Sequence, residues 1–205
     1  MAAIGVLALN ACGSPYYTAD PIEAWVVDAE TGQPIEGAVV TANWQLVAAS
    51  LDTGGRKLRQ LKVMETVTDK NGRFTFPGFT KLNLSLNELR DEDPQILIFK
   101  SGYRYFRTSH DYDTRKPSPG AHRTSPLVEK NVRLERADSD PQKAAQQLLF
   151  LTVALDNIWN SSDGERIPRM THSLACERKR LLAIDPRAGF SVMGATGTET
   201  NCEKS

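Results

Sequence analysis

Between Ile22 and Leu134, short runs of alternating apolar and polar residues are repeatedly cut by Gly, Pro, Asn and Asp. That punctuation suits short strands joined by turns and leaves little room for long helices. Ile22, Ala24 and Val26 alternate with Glu23, Trp25 and Val27, a period of two, before a turn over Asp28–Gln33 in which Gly32 can take a positive φ. A second strand follows over Ala38–Leu46, with Val39, Thr41 and Asn43 facing one way and Val40, Ala42 and Trp44 the other. Val63–Thr68 and Arg73–Phe76 read as two strands of a hairpin closed by Asp69-Lys70-Asn71-Gly72, Asn-Gly supplying the left-handed residues of a tight turn. Ile96–Lys100 is a dense apolar run, expected as a central buried strand. Tyr103–Ser109 and Val128–Leu134 bring the strands to seven, which argues a β-sandwich.

The connections are less regular. The basic stretch Arg56, Lys57, Arg59, Lys62 after Gly54-Gly55 reads as a solvated loop, and Leu82, Leu84, Leu86 and Leu89 as a connection with a short helix. At Arg136 the pattern changes to helical spacing. Asp140 can cap a helix with Pro141 at its first position, and Ala144, Leu148, Leu151, Leu155 and Ile158 form one apolar stripe. A second helix is expected over Met170–Ile184, stopped by Pro186, with Arg178-Lys179-Arg180 on its solvated face.

The 205 residues carry 25 basic and 25 acidic side chains, a formal net charge of zero, which argues against a nucleic-acid-binding role. With 40% hydrophobic and 24% charged residues the composition is that of a globular chain.

Residues 1–11 are uncharged, and Ala2–Leu9 is apolar or small throughout, too short to span a bilayer but suited to the core of a secretory signal. The basic region that precedes such a core is missing, which places the true start upstream. Leu9-Asn10-Ala11-Cys12 resembles the lipobox of bacterial lipoproteins, Asn10 departing from the small residue usual there. The resemblance implies cleavage before Cys12, lipidation of its thiol, and, with Gly13 rather than Asp following, an outer-membrane location. Cys176 and Cys202 then remain in a compartment that permits disulfides. Joined, they would contribute about 3–3.5 kcal/mol through the unfolded chain; the alternative is two free thiols. The chain thus divides into a signal peptide at 1–11, a lipidated tether at 12–21, a sandwich at 22–136 and a helical extension at 137–205.

Three motifs narrow the sandwich further. Thr31-Gly32 with Pro34 and Gly37-Ala38, Thr68-Asp69 with Gly72 and Phe74, and Lys100-Ser101-Gly102-Tyr103 together resemble the carboxypeptidase regulatory-like domain. The resemblance covers residues 22–134 and implies a transthyretin-like (prealbumin-like) seven-stranded Greek-key sandwich. The family's members are mostly accessory modules, so the resemblance implies an accessory module rather than an enzyme, although fold alone does not fix function.

No HExxH, GxSxG or phosphate-loop motif is present, nor any zinc-peptidase pattern around His110, His122 or His172. Tyr103, Tyr105, His110, Tyr112 and His122 lie close in sequence. Two Tyr and two His bind iron in intradiol dioxygenases, whose sandwich is related, but the spacing here differs from theirs. Tyr103, Tyr105 and Tyr112 could instead form a ligand surface for a sugar or peptide, with Trp25, Arg104 and Arg107 nearby. The expectation is a non-catalytic envelope lipoprotein without cofactor or metal, held to the membrane by its lipid and docking a protein partner. Carbohydrate or peptide binding is the alternative, and a metal-dependent enzyme using the Tyr103–His122 region is a third, less favoured reading.

Overall fold

The computed structural model describes residues 16–49, 56–82, 88–89, 94–108, 122–125, 127–159, 167–190 and 202. The signal segment, Cys12, His110, Tyr112 and the side chain of His122 lie outside them. The protein is mainly β, with three sheets and two C-terminal helices.

Two of the sheets make one layer of a sandwich. One has the order β10 (His122–Arg123), β1 (Tyr16–Ala19), β6 (Phe79–Leu82), and the other β11 (Asn131–Leu134), β2 (Ile22–Asp28), β5 (Arg73–Phe76). The order repeats because β1 runs on into β2 and β5 into β6, with Ala19 opposite Phe79 and Ile22 opposite Phe76. Between these pairs Asp20-Pro21 faces Pro77-Gly78. Neither proline has an N–H to donate, so the ladder breaks there and the layer splits in two. Gly78 fits the break because a Cβ on it would lie 2.8 Å from the Ala19 carbonyl oxygen and 2.9 Å from Pro21.

The second layer holds β4 (Arg56–Val67), β3 (Val39–Ala49), β8 (Gln95–Phe99) and β9 (Phe106–Arg107) in that order, with β7 (Glu88–Leu89) also on β3. Between the layers lies a core that includes Ile22, Ala24 and Val26 of β2, Phe74 and Phe76 of β5, Val132 and Leu134 of β11, and Val40, Ala42, Trp44, Ile96 and Ile98 from the facing sheet. The alternation read from the sequence therefore sets the interior faces of β2 and β3.

A third layer decides what happens to the other face. α1 (Pro141–Trp159) and α2 (Pro168–Ile184) bury Ala144, Leu148, Leu151, Leu155, Ile158, Met170, Leu174 and Leu181 against Val39, Val63, Leu97 and Phe99. All five residues of β8 are buried for this reason: Ile96 and Ile98 meet the sandwich interior, Leu97 and Phe99 the second core. Thr41, Asn43 and Gln45 on the same outer face of β3 are also almost wholly buried. α1 starts as expected, with the Asp140 carboxylate accepting the Gln142 N–H at 2.9 Å and Pro141 in the first turn.

Several connections differ from the sequence reading. Eleven strand segments replace the expected seven among the described residues. Tyr16–Ala19, assigned to the tether, is β1, and its Tyr17 and Ala19 enter the core. The basic stretch taken as a loop is the first half of β4, paired with the far end of β3 across a register shift at Trp44/Gln45. An edge strand tolerates such charges because only one of its sides is paired. Phe79–Leu82 is a strand on β1, and Glu88–Leu89 a strand on β3, so the leucine-rich connection is extended where it is described.

The Asn71-Gly72 turn also joins different partners. β4 pairs with β3 and β5 with β2, so Asp69–Gly72 carries the chain from one layer to the other. Of the turn residues only Gly72 has positive φ, at 71°. The Asp69 carboxylate accepts the N–H groups of Asn71 and Arg73, both at 2.9 Å, and the Gly72 carbonyl accepts the Val26 N–H at 2.8 Å. This turn is fastened to β2 rather than closing a two-stranded ribbon.

Candidate functional site

Two clusters of ionisable groups meet the turns that carry the sequence motifs. The first is built around Asp28, at the end of β2 and 3% exposed. Its carboxylate accepts the N–H groups of Glu30 at 2.9 Å and Thr31 at 3.0 Å, and the Tyr103 hydroxyl at 2.9 Å. Arg136 pairs with it at 2.7 Å and lays its guanidinium 4.3 Å from the centre of the Tyr103 ring. These contacts tie together the first turn, the loop after β8 and the segment beyond β11. The Thr31 N–H first, then the Tyr103 and Glu30 hydrogen bonds and the charge of Arg136, outweigh the cost of burial and bring the Asp28 carboxyl down to about 2.

A group whose folded value lies below its ordinary one stabilises the fold above the ordinary value and loses that contribution as pH falls through the folded one. Asp28 therefore supports the fold fully above its ordinary value of 3.8 and progressively less toward pH about 2. Asp185, lowered to about 2 chiefly by hydrogen bonds from Arg187, acts in the same window. Thermal melts across this range are expected to show a smaller acid-induced loss of Tm in Asp28→Asn than in the wild type. Parallel pH profiles for the two proteins would refute the assignment.

Tyr103 is thus engaged through both its hydroxyl and its ring, and it packs against the core between the sheets. Tyr105 packs against the second core, on the helix side. The two rings lie on opposite faces of the second layer and do not form one strip, and Tyr112 falls outside the described residues. Tyr103–Ser109 is not continuous strand either; β9 is only Phe106–Arg107, and Tyr103 makes a single bridge to Arg136. Among the described residues no group of three or more His, Cys, Asp or Glu side chains could hold a metal ion.

The second cluster lies where α2 crosses the end of the second layer. Glu177 occupies the buried stripe of α2 with Met170, Leu174 and Leu181, and it is 3% exposed. Arg180 donates to its carboxylate at 2.6 and 2.9 Å, and the Ser101 hydroxyl at 2.5 Å. Burial works against this charge, yet the Arg180 and Ser101 hydrogen bonds hold the carboxyl below its ordinary value. The sequence signal was available: one acid in an otherwise apolar helical stripe, with an arginine three residues on. Glu65 of β4 fastens the other end of α2, its carboxylate accepting the N–H groups of Arg169 at 3.0 Å and Met170 at 2.7 Å. A helix that offers no capping side chain of its own is therefore capped from the sheet.

Cys176 and Cys202 are joined, with Cα atoms 5.5 Å apart, and His172 Nε2 lies 3.6 Å from Cys176 Sγ. The disulfide forms one wall of a cleft of about 790 Å³ between α2 and the sheet. Its floor is the outermost row of the second layer, Val67, Val39 and Phe99, which pair directly across β4, β3 and β8. Lys100, Arg169, His172 and Ser173 line it alongside the Glu177–Arg180 pair.

No family model matches the sequence, and no curated protein matches it. Among solved structures, the 3-chlorocatechol 1,2-dioxygenase of Rhodococcus opacus 1CP shares 18% identity at a TM-score of 0.34, over 61% of this chain and 62% of that one. A streptococcal ancillary pilin shares 16% at 0.24, over 57% and 29%, and the C-terminal domain of a Lactobacillus rhamnosus GG shaft pilin 14% at 0.25, over 60% and 100%. The chain thus spans about three fifths of the dioxygenase it matches. Likenesses of this size assign neither a family nor an activity.

Proposed function

We propose that this chain is a non-catalytic module of the bacterial cell envelope, anchored by lipid at Cys12 and working through a protein partner. Its sandwich is read as a Greek-key domain of the carboxypeptidase regulatory-like kind. The observation that supports this best is how the ionised groups are used. Asp28, Glu65 and Glu177 each hold separate elements together: Asp28 the motif turns, Glu65 the start of α2, Glu177 the turn after β8. Groups committed to such contacts serve rigidity rather than proton transfer. A disulfide between Cys176 and Cys202 also fits an oxidising compartment.

The test is made on the chain expressed with its native start. The wild type is expected to partition into the detergent phase and to be released by Cys12→Ser. A wild type that stays in the aqueous phase, with an unmodified Cys12 by mass, would end the lipoprotein reading.

A further inference from the structure

The fold does not account for the open cleft beside the disulfide. Its floor of Val67, Val39 and Phe99 is apolar, with Val67 partly accessible and Val39 and Phe99 buried beside it. Its volume of about 790 Å³ lies in the range of small-molecule pockets. The charges around it are unbalanced in a specific way. Glu177 and Arg180 neutralise each other, and the charge of Arg169 acts on Glu65. Lys100 is left half-buried at the mouth with no ion-pair partner among the described residues. Gly37, held at φ 72°, lies beside it, a Cβ there coming within 2.9 Å of the Lys100 ammonium nitrogen. The Ser173 hydroxyl, also half-buried on this wall, has no hydrogen-bond partner among the described residues.

An ammonium partly withdrawn from water and left unpaired favours an anion beside it, and an apolar floor favours a hydrocarbon tail below it. We infer that this cleft binds a small amphipathic monocarboxylate, its carboxylate at Lys100 and Ser173 and its apolar tail over the accessible Val67 end of the floor. A medium-chain fatty acid has this chemistry. The site stands apart from the envelope reading, because none of its residues belongs to the N-terminal segment.

Titration calorimetry tests this with decanoate as the probe, using the full chain carrying Cys12→Ser so that acylation plays no part. Decanoate is expected to bind saturably, and decanol or decyltrimethylammonium at least about tenfold more weakly. Lys100→Gln should weaken decanoate at least about tenfold while leaving decanol unchanged, which separates loss of the charge from loss of the fold. Ser173→Trp, which fills the cleft from a partly exposed helix position, should abolish binding of both. Absence of saturable decanoate binding up to about 1 mM would overturn the inference. So would decanoate binding that Lys100→Gln leaves unchanged, or equal affinity for acid and alcohol.

Discussion

Gly72→Ala is expected to lower the stability of the fold by roughly 2–5 kcal/mol, a large share of what a domain of this size has. Two costs combine at this position. The backbone sits at φ 71°, where a side chain costs about 1–2 kcal/mol. A Cβ would also collide with the Val26 carbonyl oxygen and lie 3.2 Å from Ile35 N and Pro34 Cβ. These atoms belong to a strand and its following turn, so they cannot move aside as a flexible side chain would, and the displacement costs about a further 1–3 kcal/mol. Gly32→Ala separates the two terms: its φ is 70°, but nothing lies within 4 Å of a Cβ there. It should therefore show only the conformational cost, about 1–2 kcal/mol. Urea midpoints of the two variants decide the matter, and equal destabilisation would refute the backbone collision.

Ending the chain after Arg136 is expected to leave a sandwich that self-associates. The helices it removes cover Val39, Val63, Leu97 and Phe99, each between 1% and 5% exposed in the intact protein. Such side chains contribute about 1.5–3 kcal/mol apiece when fully buried. Uncovered, they expose large apolar side chains on one face of the sheet, interleaved with Thr41 and Asn43, and exposed apolar surface of this kind drives association. Light scattering and sedimentation of the truncated chain should show oligomers, with melting well below that of the full chain. A truncated form that remains monomeric with unchanged melting would mean that α1 and α2 contribute nothing to the sheet beneath them.

Legibility in the sequence followed the range of the interaction. The alternation in Ile22–Val27 and Ala38–Leu46 reports which side chains share a face, and the structure places them so. Asp140-Pro141 and the stripe from Ala144 to Ile158 define α1, since capping and helical spacing involve only near neighbours. The failures lie where a partner is distant. Tyr16–Ala19 has no amphipathic pattern long enough to announce a strand, and β6 and β10 hold it in place. Arg56–Lys62 looks like a solvated loop until β3 is seen to extend beside it. Tyr103 and Tyr105, two residues apart, would share a face in an unbroken strand. Their loop is instead drawn toward the segment after β11 by the Arg104 N–H to Glu135 carbonyl bond at 2.8 Å, and the rings part.

The strand-rich class, the positions of the main turns and the two helices are legible in the chain alone, because periodicity, glycine φ and cap chemistry are properties of a few adjacent residues, whereas the choice between a Cys176–Cys202 bond and two free thiols is made by the fold. That Asp69–Gly72 crosses between layers rather than closing a hairpin follows from which sheet each flanking strand joins. Long-range packing likewise buries Thr41, Asn43 and Gln45 although they are polar, and it brings Asp28, Glu65 and Glu177 to segments far away in the chain. Each of these depends on which sheet a strand joins and what is laid over its outer face. That choice is settled by burying apolar surface across the whole fold, and no local stretch of residues encodes it.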